Sequence, residues 1–190
     1  MNRILVLVVL LAAILPSACG PSSSERIAAA NVHKPATEST PVTAAMPVTS
    51  VGRPRVVTPT RRLQCVPYAR EQSGIPIRGD AWTWWHKAKG KYRRTSRPAV
   101  GSVIVFSKTK RNRYGHLAVV TQIVSEREIL ARHANWLNKG QIHVDTPIRD
   151  VSRNNDWSAV RVWYTPGGVF GKHDYPVSGF ILPPARSAAG

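Results

Sequence analysis

Apolar and polar positions along this chain of 190 residues change their pattern several times. Ile4 to Leu15 is an unbroken apolar run. Residues 19–60 show no sustained period. Between residues 61 and 165 the apolar positions fall at helical or alternating spacing, which is the pattern of elements that bury one face. The stretch 65–73 (CVPYAREQS) predicts a short helix, with Pro67 in its first turn and Gly74 as its stop. The stretch 79–89 (GDAWTWWHKAK) predicts a second helix, with Asp80 as N-cap and Gly90 as stop. Trp82 and Trp85, three apart, then share a core-facing side. Strands are expected at 101–107, 115–124, 128–136, 140–144 and 159–164, where β-branched and aromatic residues run between turn signals. Helices first and an antiparallel sheet after them make the expected class α+β.

The flanking zones read differently. Residues 1–18 look like a secretory signal peptide, with Arg3 before the apolar run and small residues Ser17 and Ala18 before Cys19. The run is short for a span, which needs about 20 apolar residues. Leu15-Pro16-Ser17-Ala18-Cys19 resembles a bacterial lipobox, which makes Cys19 a lipidation candidate and anchors the chain to a membrane. A simply cleaved, secreted form is the alternative. Residues 19–60 hold many Ser, Thr, Ala and Pro and no aromatic residue, so they are expected to form a disordered tether. All the tryptophans lie between Trp82 and Trp163, which sets the compact domain at 61–165. Residues 166–190, rich in Gly and Pro, are expected to be an irregular C-terminal extension.

Charge narrows the class of partner. The formal net charge is +17, and the 61–165 window alone carries 20 Lys and Arg against 7 Asp and Glu. A basic folded domain favours polyanionic surroundings. No base-reading motif accompanies the charge, and an exported chain does not meet nucleic acid, so none is expected as a partner. The basic run Lys108 to Arg113 is read as a solvated loop or as a contact to acidic polymer.

Only two cysteines occur, Cys19 and Cys65. Cys65 opens the first predicted helix, where the positive end of the helix favours thiolate over thiol. A base for it is offered by His116, which follows Gly115 at the start of a strand. A turn near residues 125–127 pairs that strand with the next, and positions facing each other then sum to about 252. His116 comes to lie near residues 133–137. His133 and Asn135 point to the same side of their strand, and either can hold the His116 imidazole as the third member of a nucleophile, base and orienter set. Gln64, Tyr68 and Trp136 are further oxyanion or substrate candidates. Cys65, His116 and His133 match no compact zinc spacing, so neither metal nor cofactor is expected.

The blocks Gln64-Cys65, GDAWTWW at 79–85, RPAVGSVIVF at 97–106, GHLAVV at 115–120 and HANW at 133–136 resemble, in that order, the CHAP family (cysteine, histidine-dependent amidohydrolases/peptidases). The resemblance implies a papain-like fold of the NlpC/P60 superfamily, with N-terminal helices packed on a mostly antiparallel sheet. It implies Cys65 as nucleophile, His116 as general base, and Asn135 as part of the site. Members of the family often have an acidic residue where His133 stands, whereas the wider group commonly uses His. The expected function is an exported, periplasmic, monomeric peptidoglycan hydrolase, amidase or endopeptidase. A non-catalytic wall-binding module of the same fold is the alternative.

Overall fold

The computed structural model describes residues 52–185. The expected signal peptide, Cys19 and most of the expected tether lie outside the described residues. The elements run β1 (Arg55–Val57), α1 (Cys65–Ser73), a 3-10 turn (Ala81–Thr83) leading into α2 (Trp84–Lys87), and β2 (Arg94–Thr95). They continue with β3 (Val103–Phe106), β4 (His116–Ser125), β5 (Glu128–Ala134), β6 (Ile142–Asp150) and β7 (Ala159–Tyr164). A second 3-10 turn (Thr165–Gly167), β8 (Val169–Phe170) and β9 (Tyr175–Ile181) complete them. The protein is therefore mostly antiparallel sheet with few helices.

Six strands close on themselves. The order β6-β5-β4-β3-β9-β7 returns to β6 through the pairs Ile148↔Val162 and Asp150↔Val160. The ring has two apolar faces. Ile104 and Phe106 of β3, Ala118 and Val120 of β4, Ile129 and Ala131 of β5, and their counterparts from β6, β7 and β9 fill the interior. The alternate residues Val103, Val105, Leu117 and Val119 face outward and pack under α1 and the Trp84 segment. All of Val103–Phe106 is consequently buried, which is why that strand reads as continuous apolar sequence.

Local sequence explains the helix that carries Cys65. Gln64 is extended (φ −112°, ψ 155°), and Pro67 occupies a first-turn position whose N–H has no intrahelical partner in any helix. Gly74, at φ 71°, ends the helix by donating its N–H to the Arg70 carbonyl. The second predicted helix is broken into a 3-10 turn and a single α-turn. The Asp80 side chain makes no cap; its carbonyl instead accepts from the Thr83 N–H and hydroxyl. The change of winding alters the phase of the tryptophans. Trp84 is the fully buried one, while Trp82 and Trp85 are half-buried.

Three boundaries need correction. The expected tether extends to residue 60, yet Arg55–Val57 pairs with β6. The strand expected at 140–144 continues to Asp150 through Pro147. The expected irregular extension at 166–190 contains β9, which sits between β3 and β7 and places Phe180 in the interior. Pro176 and Gly179 conceal β9 in the sequence because both residues weaken strands. Gly179 has a spatial reason: a Cβ there would lie 2.6 Å from the Trp85 ring.

A chain ending at residue 165 therefore lacks one stave of the barrel. It should fail to fold, giving a collapsed amide spectrum and no cooperative urea transition, whereas a chain spanning 52–185 should unfold cooperatively. An independently folded 61–165 fragment would contradict this topology.

Candidate active site

Cys65 is the first residue of α1, is half-buried, and carries a free thiol. The backbone amides of Leu117, Val66 and Cys65 itself act on its sulfur in favour of the thiolate. Leu117 follows His116, so α1 is docked directly against the start of β4. Burial pushes the thiol up from its ordinary value, and the three amides only partly offset that. The expectation that the helix start would favour thiolate is not met in the resting protein. Desolvation outweighs the backbone N–H groups, and no charged side chain among the described residues figures in the balance.

His116 enters β4 after Gly115, whose φ is 68°. A Cβ at Gly115 would stand 2.6 Å from the Phe106 carbonyl oxygen and 2.7 Å from the Trp82 nitrogen, so only glycine admits this close approach. The hairpin register agrees with the one read from the sequence. Val119 faces Arg132, Gln122 faces Leu130, and Glu126-Arg127 forms the turn. His116 and His133 become diagonal neighbours on the interior face. His116 Nε2 and His133 Nδ1 are 2.9 Å apart, and His133 Nε2 lies 3.2 Å from the Thr146 hydroxyl. Both imidazoles are almost fully buried. Burial first, and the neighbouring His143 second, hold His116 down to about 3. His133 is held well below the ordinary range by burial, then by His116 and His143. Both rings are therefore neutral at neutral pH, and His116 Nδ1 is the nitrogen that His133 leaves unengaged.

Asn135 does not orient His116. β5 ends at Ala134, and Asn135 turns away at φ 63°. Its Nδ2 donates to Gln64 Oε1 at 2.7 Å, and its Oδ1 accepts from the Gly140 N–H at 2.8 Å. It ties the 135–140 loop to the residue before Cys65. Of the two orienter candidates, His133 is the one bonded to His116.

A cavity of about 270 Å³ joins these groups. Its walls include Gln64, Cys65, His116, Asn135 and Trp136. Tyr68 is not among them: it lies one turn further along α1, buried, where desolvation pushes its phenol up and Arg132 opposes the shift. The Trp136 ring packs 4.8 Å from that of His116 and 5.0 Å from that of Tyr175, shielding the imidazole. Sequence reasoning missed Tyr114 and Tyr175 as walls. Tyr175 was hidden with β9, while Tyr114 sits only two residues before His116. From the basic loop, Arg111 and Asn112 reach the cavity, whereas Lys108 stacks 4.3 Å over the Trp82 ring. Among the described residues no group of His, Cys, Asp or Glu is arranged to hold a metal ion.

The neutral buried histidines have a consequence for stability. An unfolded histidine takes its proton near pH 6.5, whereas His116 in the fold resists until about 3. The unfolded chain binds the extra proton, so stability falls as pH drops through this window. The loss approaches about 1.4 kcal/mol per pH unit for each such histidine. Urea midpoints should already decline between about pH 6.5 and about pH 5, where carboxylates remain ionised. Replacing His143, whose value is likewise lowered by burial, with Phe should reduce the slope. A midpoint independent of pH across this window would contradict the assignment of neutral rings.

Residues 57–135 match the model of the CHAP domain family. An N-acetylmuramoyl-L-alanine amidase from Staphylococcus aureus, known from a 2.15 Å crystal structure, is similar at 22% identity and a TM-score of 0.39. The similarity covers 61% of this chain and 30% of the amidase chain, so this chain spans under a third of that protein. No curated protein matches the chain. The family match begins in β1, contains Cys65, His116 and His133, and ends at the Asn135 turn. The likeness to the CHAP domain family is thus confined to residues 57–135, the segment that holds both the thiol and the paired imidazoles.

Proposed function

We propose that this protein is a cysteine-dependent peptidoglycan hydrolase that cuts an amide or peptide bond through a Cys65 thioester. The observation that carries the reading is that Cys65 and His116 line one cavity while His116 Nε2 is occupied by His133. The CHAP match and the basic surface agree with it. The finer fold assignment, papain-like within the NlpC/P60 superfamily, belongs to the same proposal. So do export, a lipid on Cys19, and a periplasmic location.

The chemistry follows from the electrostatics. A thiolate–imidazolium pair would place two charges in a poorly solvated site, and the thiol and the imidazole are each displaced toward their neutral forms. The resting pair is thus neutral. His116 Nδ1 takes the thiol proton as the sulfur attacks the substrate carbonyl carbon, so negative charge passes to the carbonyl oxygen. The Cys65 N–H, at the free start of α1, is positioned to donate to that oxygen. Collapse of the tetrahedral species breaks the C–N bond, and the leaving amine receives the proton from His116. Water, deprotonated by the same nitrogen, then hydrolyses the thioester. His133 keeps the imidazole ring oriented throughout. Asn135 and Gln64, which share the cavity wall with Cys65, hold the loop against the start of α1.

Digestion of purified peptidoglycan, read by mass spectrometry of the released muropeptides, tests the proposal and names the severed bond. Cys65→Ala and His116→Ala should each lower turnover by at least about 10³-fold, with the urea midpoint of Cys65→Ala retained. His133→Ala should lower kcat by about 10²-fold, and Asn135→Ala by less. Undiminished release of muropeptides by the Cys65→Ala protein would remove the mechanism. Tight sedimentation of every variant with peptidoglycan, with no release even by the wild type, would leave a wall-binding module instead.

A further inference from the structure

The row of buried rings does not end at His133. β6 carries a bulge opposite it. Ala131 pairs with Thr146, but His133 pairs with His143, so β6 spends one more residue than β5 across this interval. Asp145 absorbs the excess at φ 53°. The bulge delivers both His143 and Thr146 to the neighbourhood of His133. His143 contributes no hydrogen bond: its ring lies 5.2 Å from that of His133, and neither of its nitrogens has a partner among the described residues. Thr146 is fully buried, and its hydroxyl is the group bonded to His133 Nε2.

We propose that Thr146 is a positioning residue that sets the tautomer of both catalytic-row histidines, by accepting a hydrogen bond from His133 Nε2–H. The inference rests on the hydrolase reading for its use, but its physical content is separate from turnover. A neutral imidazole has one N–H and one bare nitrogen, and the partner of one nitrogen dictates the state of the other. With the proton on His133 Nε2, its Nδ1 is bare and must accept from His116 Nε2–H. His116 Nδ1 is then bare and ready to take the thiol proton. If Thr146 donated instead, every proton in the row would move to the other nitrogen. His116 Nδ1 would carry a hydrogen and could not serve as a base. A doubly protonated ring would escape this choice, but the burial that keeps both rings neutral prevents it. Trp136, which covers the row, meets His133 ring to ring and leaves the choice to Thr146.

Two measurements on the full chain decide the matter. Long-range ¹⁵N–¹H spectra of ¹⁵N-histidine-labelled protein near neutral pH should show His116 and His133 as Nε2–H tautomers with bare Nδ1. In Thr146→Val, which keeps the shape and removes the hydroxyl, part of the His116 signal should move to the Nδ1–H form. Thr146→Ser should restore the wild-type spectrum. On peptidoglycan, Thr146→Val should lose about 10- to 100-fold in kcat with KM nearly unchanged, and Thr146→Ser should recover most of it. An Nδ1–H tautomer on His116 in the wild type overturns the inference whatever the activity. So do unchanged tautomers in Thr146→Val. If instead the spectra are as expected and Cys65→Ala retains turnover, the hydrolase mechanism falls and the tautomer assignment stands.

Discussion

The contact between His116 Nε2 and His133 Nδ1 is the interaction on which the site depends, and it is a product of strand register. Side chains alternate across a sheet, so a slip of one residue between β4 and β5 would send one of the two rings to the opposite face. That slip is resisted by the packing on both sides. The interior side stacks Ala118 and Val120 with Ile129 and Ala131, while the outer side buries Leu117 and Val119 beneath α1. The same docking that seals Leu117 packs Cys65 against its cluster. Core packing and site assembly are one constraint here, since the residues that lock the register are the immediate neighbours of those that line the cavity.

How much of this was legible in the sequence depended on whether the information was local. The turn at Glu126-Arg127 and the alternation on either side of it gave a register within one residue of that observed. Gly115 stands immediately before His116 in the sequence, and the structure supplies the atoms that require glycine there. The helix at Cys65 was legible from Pro67 and Gly74. Non-local features were not. β9 closes the barrel although Pro176 and Gly179 weaken its local signal, because pairing with β3 on one side and β7 on the other supplies what propensity lacks. Pro147 likewise sits within β6. The bulge at Asp145 has no sequence signature that spacing rules detect, so Thr146 could not be connected to His133. Asn135 faced His116 on the extrapolated strand, but the chain leaves extended geometry at that residue.

The electrostatics show a second limit of local reading. The start of a helix favours thiolate, but at Cys65 desolvation outweighs that preference. Two cationic side chains of the basic loop stand beside the cavity: Arg111 reaches its wall, and Lys108 is held over Trp82. The interior row is uncharged. The arrangement separates two tasks. On the proposed reading, the exposed basic residues would attract acidic polymer over distances set by ionic screening. The buried imidazoles, in the proposed reaction, would move a proton without a standing charge in the barrel.

The most direct measurement of the central claim is the reach between sulfur and imidazole. 1,3-Dibromoacetone alkylates a thiol and then bridges to a nucleophile within a few bonds of it. Treated at mildly basic pH and digested, the protein should yield one linked pair of peptides, joining Cys65 to His116, and the His116→Ala protein should yield only the singly alkylated Cys65 peptide. A wild-type protein that accepts the reagent on Cys65 yet never bridges to His116 would contradict the account.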